Sequence, residues 1–297
     1  MIAFDPGRTG TLMRRLAAEQ DRSAFVGYWP VGFPDLSASL EYLRALCGQR
    51  DEPGADLVEI GIPYSDPMID GSTVQRATTQ ALANGVRTRD VFAAAETVAA
   101  AGRAPVVMTY WNLIEQYGVD AFARDLAAAG GQGVITPDLT PDEAAPWLEA
   151  SEAHGLDRIF LLAPSSTPER IAATLRACRG WVYATAVMGV TGARAQVSQA
   201  APLLVQRIRE SAPDALVGVG LGVSTGEQAA AVVEYADAAI VGSALIQRAF
   251  DVDVADGLSA VRELASEFAR GVGCRPRTSP PGVASTAATA APERGNR

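Results

Sequence analysis

The stretch DLVEIGIPYSDPMIDG, residues 56–71, places a carboxylate, Glu59, inside an apolar run and follows it with a proline-bounded loop carrying Asp66 and Asp70. Side chains alternate along a strand, so Val58, Ile60 and Ile62 share one face while Leu57, Glu59 and Gly61 share the other. Glu59 therefore points away from the bulky residues. If the first face packs on helices, the second meets another strand layer, a ligand or water, and Gly61 leaves room beside the acid. A glutamate exposed on an edge strand is the alternative, and the rest of the chain decides between the two.

Working outward, seven more segments have strand composition: AFVGYWPV, PVVMTY, GVITPD, RIFLLA, WVYATAV, ALVGVG and AAIVGSA. Between most of them lies a helical pattern, as in LSASLEYLRALCGQR, VDAFARDLAAAG, PDEAAPWLEASEAHG and TPERIAATLRACRG. Asp35, Asp142 and Thr167 stand at helix starts as caps, and Gly130, Gly155 and Gly180 close helices where a left-handed residue is wanted. Strict alternation of this kind means a parallel sheet. Eight near-continuous apolar strands with short connections fit a closed α/β (β/α)₈ TIM barrel better than an open doubly wound sheet. A helix at TLMRRLAAEQ precedes the first strand and is placed to plug the lower end. Two helical patterns between the second and third strands mark an insertion, and Leu258, Val261, Leu264, Ala265 and Phe268 have the spacing of a last outer helix. Residues 1–274 read as one barrel domain. Residues 275–297, rich in Pro, Ala, Thr and Ser without periodicity, read as a disordered tail.

With 48% hydrophobic and 20% charged residues, the 297-residue chain can bury a full core. Its formal net charge of −9 argues against nucleic acid as the main partner, because phosphate backbones require a concentrated basic surface. Cys47, Cys178 and Cys274 are far apart and form no CxxC pair, which indicates neither a disulfide framework nor a zinc site. Reduced thiols, the absence of a long apolar run and an N-terminus broken by charges together imply a cytoplasmic protein. The single histidine, His154, sits before Gly155 at a helix end and reads as a surface residue.

In a barrel of this kind the active site lies at the C-terminal ends of the strands, with phosphate held by the loops after strands seven and eight. Those loops are glycine-rich here: GVGLGVS carries Gly220 and Gly222, and VGSALI carries Gly242 and Ser243 at a helix start. Glycines let backbone N–H groups approach an oxyanion, and a helix start adds favourable potential. Each motif alone is also an ordinary turn. A third loop, MGVTGAR after strand six, has the length and composition of a lid. In this frame the face shared by Leu57, Glu59 and Gly61 is the barrel lumen, and Glu59 lies near its mouth. Partial burial there raises a carboxyl pKa toward neutrality, as general acid–base work requires. Asp70 could accept a hydrogen bond from a substrate N–H or O–H, or simply shape the turn before Gly71. Asp66 has the same ambiguity and could face a partner.

EIGIPYSDPMIDG (59–71), MTYWN (108–112), MGVTGAR (188–194), GVGLGVS (218–224) and VGSAL (241–245), in this order and spacing, closely resemble the tryptophan synthase α-subunit family over roughly residues 20–250. The resemblance implies a (β/α)₈ barrel that splits indole-3-glycerol phosphate into indole and glyceraldehyde 3-phosphate by retro-aldol cleavage, a lyase step of tryptophan biosynthesis, with no metal or organic cofactor in this chain. It further implies that Glu59 protonates indole C3 and helps remove the glycerol hydroxyl proton. Asp70 binds the indole N–H and stabilises the cation that forms. Tyr183 lies near the glycerol chain and Thr191 orders Asp70 from the lid. Tyr28, Met108, Tyr110, Ile135 and Leu161 line the indole slot, while Gly192, Gly220, Gly222, Gly242 and Ser243 hold the phosphate.

The same resemblance implies a β-subunit partner that carries pyridoxal phosphate (PLP) and receives indole, in an αββα heterotetramer. Loop 63–67 and the region of Asn112 match the contact surface. Ser72 and Leu113 stand where the family often has proline, and Ile69 where it has a smaller residue; Ser72 and Leu113 bear on partner affinity. A stand-alone lyase and a non-catalytic activator are the alternatives. The presence of both Glu59 and Asp70 speaks against the activator.

Overall fold

The computed structural model describes residues 2–49, 52–185, 197–220 and 222–273. The expected lid at 188–194, with Thr191 and Gly192, and the expected tail lie outside them, as does Cys274. Nine parallel strands are present among the described residues: β1 Ala24–Pro30, β2 Leu57–Gly61, β3 Ala104–Met108, β4 Gly133–Ile135, β5 Asp157–Ile159, β6 Leu161–Leu162, β7 Val182–Thr185, β8 Val217–Gly220 and β9 Ala238–Val241. Their order in the sheet is β5-β4-β3-β2-β1-β9-β8-β7-β6. The two ends of that ladder, β5 and β6, are separated in the chain only by Phe160. The Ile159 carbonyl accepts the Thr136 amide on one side, and the Phe160 carbonyl accepts the Tyr183 amide on the other. The sheet therefore curls into a barrel, and the fifth of the eight expected strands is present in two pieces.

Helices alternate with the strands around the outside. The insertion between β2 and β3 holds Ser72–Ala83 and Asp90–Ala100, and the last outer helix is Val254–Gly271. Two helices, Trp111–Tyr117 and Val119–Ala128, fill the connection from β3 to β4, where sequence patterning shows only the second. Asp35 and Thr167 cap their helices by accepting the amides of Ala38 and Arg170, each cap worth about 1 kcal/mol. Asp142 does not. The helix it precedes begins later, at Ala145, without a side-chain cap, and Asp142 pairs with Arg170 instead. Gly130 and Gly155 close their helices with the expected positive φ; Gly180 also has a positive φ, but its helix ends at Ala177 with Cys178 extended, and the Gly180 amide donates to the Asp5 carbonyl.

The first helix, Gly7–Gln20, lies against the N-terminal ends of the strands. Asp157, fully buried at the start of β5, accepts the amides of Arg8 and Thr9 at 3.0 and 2.7 Å and the Thr9 hydroxyl at 2.6 Å. These bonds satisfy donors that a helix start otherwise leaves unpaired. Met13 and Leu16 are buried from the same helix.

Candidate active site

Neighbours in register across a parallel ladder share a face of the sheet. Tyr28, Glu59, Val106, Gly133 and Asp157 form one such row through β1 to β5, and Gly61, Met108, Ile135 and Ile159 form the row above it. Glycines at the ends of β2, β8 and β9 make room for large neighbours. A side chain at Gly61 would collide with the Tyr28 hydroxyl, one at Gly242 would press on the Tyr28 ring, and one at Gly220 would crowd the Tyr183 hydroxyl. The rows therefore face inward, and Glu59 lies in the lumen rather than on an edge.

Glu59 is 1% exposed, and its Oε2 has no hydrogen-bond partner among the described residues. Removal from water disfavours the carboxylate, so burial, followed by the nearby charge of Asp70, pushes its pKa from 4.5 to about 8. Asp70 ends the loop after β2, half-buried, and burial raises its pKa from 3.8 to about 6. Burial also drives the phenols of Tyr28 and Tyr183 well above their ordinary value. Charges on Asp70 and Glu59 add to both shifts. At neutral pH the pair thus divides into a protonated Glu59 and an ionised Asp70.

The loop that carries Asp70 is held from β3. Tyr110 stacks on Tyr64 at 4.7 Å, and its hydroxyl oxygen accepts the amides of Met68 and Ile69 at 2.8 and 3.3 Å. Gln75, one turn into the next helix, donates to the Asp70 carbonyl at 2.7 Å. Met108 at the end of β3, fully buried Ile135 on β4 and Leu161 opposite Tyr183 supply the apolar wall of the mouth. Gly220 ends β8, Gly222 has a φ of +60°, and Gly242 leads into the helix Ser243–Gln247, whose first amides lie at the same end of the barrel. Each glycine expected to face phosphate at β8 and β9 thus has a packing role against a site tyrosine as well, Gly222 excepted. Tyr64 and Asp138, which holds the Trp111 amide beside Tyr110, were not among the residues singled out in the sequence, because both act through partners distant in the chain.

Two open hollows of about 300 and 440 Å³ lie at the other end of the barrel around Arg14, Leu216 and Asp237 and hold neither carboxylate of the pair. Among the described residues no cluster of His, Cys, Asp and Glu could hold a metal ion, and no helix is long and apolar enough to cross a membrane. Burial pushes the thiols of Cys47 and Cys178 up to about 11 and about 12, as expected of packing residues.

A protonated and an ionised carboxyl at the C-terminal mouth of a parallel barrel, above an apolar wall and beside glycine turns, define a barrel enzyme suited to acid–base chemistry on a small, partly apolar substrate. Comparison with known proteins narrows this class. Residues 14–271 match the family model described as tryptophan synthase alpha chain. The tryptophan synthase alpha chain of Mycobacterium avium is 59% identical over 254 residues, covering 86% of this chain and 90% of the relative. That of Mycobacterium marinum is 55% identical over 276 residues, covering 93% and 98%. Among solved structures, Mycobacterium tuberculosis tryptophan synthase aligns with a TM-score of 0.82 at 54% identity, over 90% of this chain and 99% of that one. A chain of the tryptophan synthase α2β2 complex from Pyrococcus furiosus aligns with a TM-score of 0.74 at 30% identity, over 83% and 98%. The chain belongs to the tryptophan synthase alpha chain family, and the matched span is somewhat wider than its motifs alone delimit.

Proposed function

We propose that Glu59 and Asp70 carry out the lyase reaction of this family, retro-aldol cleavage of indole-3-glycerol phosphate to indole and glyceraldehyde 3-phosphate. The observation that carries this assignment is the placement of two carboxyls at one barrel mouth, Glu59 buried in the lumen with Oε2 unpartnered and Asp70 on the held loop after β2; burial raises both pKa values, that of Glu59 the further. Protonated Glu59 delivers its proton to indole C3, and ionised Asp70 accepts the indole N–H and stabilises the positive charge that develops on the ring, a contact that strengthens toward the transition state. The Glu59 carboxylate then takes the proton of the glycerol hydroxyl next to the ring. The C–C bond breaks, its electron pair returns to the indole ring, and the hydroxyl carbon becomes the aldehyde of glyceraldehyde 3-phosphate. Glu59 ends protonated, so the cycle needs no net proton.

Tyr28, Met108, Tyr110, Ile135 and Leu161 flank the indole, and Tyr183 stands toward the glycerol chain. Gly192, Gly220, Gly222, Gly242 and Ser243 are assigned to the phosphate, and Thr191 to the ordering of Asp70. The chain uses no cofactor of its own. A β subunit carrying PLP accepts the indole in an αββα assembly. Exposed Met68 and Ile69, at 73% and 46%, support docking at this loop, since large apolar groups in water beside a site mark a contact surface.

The test is indole release from indole-3-glycerol phosphate by the purified chain, with and without a tryptophan synthase β subunit. Slow release that rises strongly with the partner is expected. Fast release without a partner effect would make this an independent lyase, and no release under either condition would overturn the catalytic assignment.

A further inference from the structure

Tyr110 occupies the N-cap position of helix Trp111–Tyr117, yet its side chain makes no capping hydrogen bond. The phenol is engaged elsewhere, accepting the amides of Met68 and Ile69, the two residues before Asp70. The helix start is held from a different strand end. Asp138, three residues past Ile135 of β4, accepts the Trp111 amide on both carboxylate oxygens, at 3.0 and 3.1 Å. A carboxylate there satisfies an amide that the helix leaves unpaired and lies at the positive end of its dipole. The Trp111 ring is also braced edge-on against buried Trp147, with centroids 6.4 Å apart. Burial and then the charges of Asp70 and Asp138 raise the Tyr110 phenol above its ordinary value, which places both acids within electrostatic reach of it.

One continuous line of contacts therefore runs from the end of β4 to the loop carrying Asp70: Asp138 to the Trp111 amide, along one peptide to Tyr110, and from its hydroxyl oxygen to the backbone ahead of Asp70. We propose that Asp138 is a positioning residue for the lyase reaction, fixing Tyr110 as the clamp that presents the Asp70 carboxylate to the substrate. Its catalytic consequence rests on the function proposed above. Asp138 itself does not touch the reacting atoms.

The test uses Asp138→Ala, Asp138→Asn, Tyr110→Phe and the double variant Asp138→Ala/Tyr110→Phe in the full chain, with hydrogen exchange at the Met68 and Ile69 amides and steady-state indole release over a range of pH. Asp138→Ala and Tyr110→Phe should each speed exchange at these two amides and lower kcat about fivefold, the effect of one lost cap. Both should also move the acid limb of the kcat/KM profile downward, because a loosened loop returns water to Asp70. Asp138→Asn, which keeps an acceptor oxygen, should restore most of the loss. The double variant should be no worse than the poorer single, as expected of residues acting in series. Should Asp138→Ala not fold, Asp138→Ser, too short to reach the amide, takes its place. Unchanged exchange in the Asp138 variant, or losses that multiply with the acid limb fixed, would overturn the proposal. If the wild-type chain releases no indole, the proposed function fails, and amide exchange still decides whether Asp138 sets the clamp.

Discussion

Tyr28 lies directly across the β1–β2 register from Glu59, and its ring occupies the space that a side chain at Gly61 would need. The acid therefore has an aromatic neighbour on the adjoining strand, and burial there, followed by the charge of Asp70, raises its pKa. The glycine two residues on is what permits that neighbour.

Gly61→Ala should disturb this arrangement without changing any ionisable group. The added methyl meets the Tyr28 hydroxyl and ring inside a closed barrel, where neither strand can yield freely. A loss of about 1–3 kcal/mol in stability is expected, the usual range for overpacking, along with a higher KM for indole-3-glycerol phosphate. Denaturant unfolding and steady-state kinetics check both.

Glu59→Gln should abolish most of the activity, with kcat down by about 10²–10⁴, because the amide can neither give nor take the proton. The same change should stabilise the fold in alkaline solution. Glu59 titrates near 8 when folded against an ordinary value of 4.5, so the folded state holds a proton that the unfolded chain has released between those values. Stability from this group is complete below about pH 4.5 and is lost as pH rises toward 8, at about 1.4 kcal/mol per unit. Thermal melting of wild type and variant at pH 5 and pH 9 should show curves that converge at the lower pH and separate at the higher.

The pH dependence of kcat/KM should be bell-shaped, with limbs near 6 and 8 belonging to the pair. Below the first limb Asp70 becomes protonated and loses its charge for the developing cation; above the second, Glu59 loses the proton it must deliver. Asp70→Asn should remove the acid limb and lower kcat. Because the charge of Asp70 contributes to the rise at Glu59, the alkaline limb should also move down.

Asp157→Ala tests the far end of the barrel. The carboxylate accepts three hydrogen bonds from the first helix and is fully buried, so its removal orphans buried donors. A Tm lower by roughly 5–10 °C is expected, with kcat nearly unchanged below the transition.

Much of this was legible in the sequence, for reasons that differ by residue. The inward direction of Glu59 follows from a period of two, which no tertiary contact can alter once β2 forms. Asp35 and Thr167 are local caps, read correctly from three residues of sequence. Asp142 failed as a cap because the helix begins beyond it, with Ala144 at the cap position, and its carboxylate pairs with Arg170. Helix Trp111–Tyr117 was hidden because its start is held by Asp138, 27 residues away in the chain. The Tyr110 contact with Met68 spans 42 residues for the same kind of reason. Motifs single out candidate residues for the lining; the hydrogen bonds that hold Tyr110 and its neighbours are not written in them.

The first helix, tied by Asp157 across the start of β5, gives the barrel the character of a stoppered vessel. With that helix across the lower end, traffic to Glu59 and Asp70 falls to the upper rim. Glyceraldehyde 3-phosphate and indole then leave past the loops that admitted their parent molecule, and a protein seated on the Met68–Ile69 loop would stand beside that passage. Departure order and handover of indole thus become properties of one rim, open to control by any contact that shifts it.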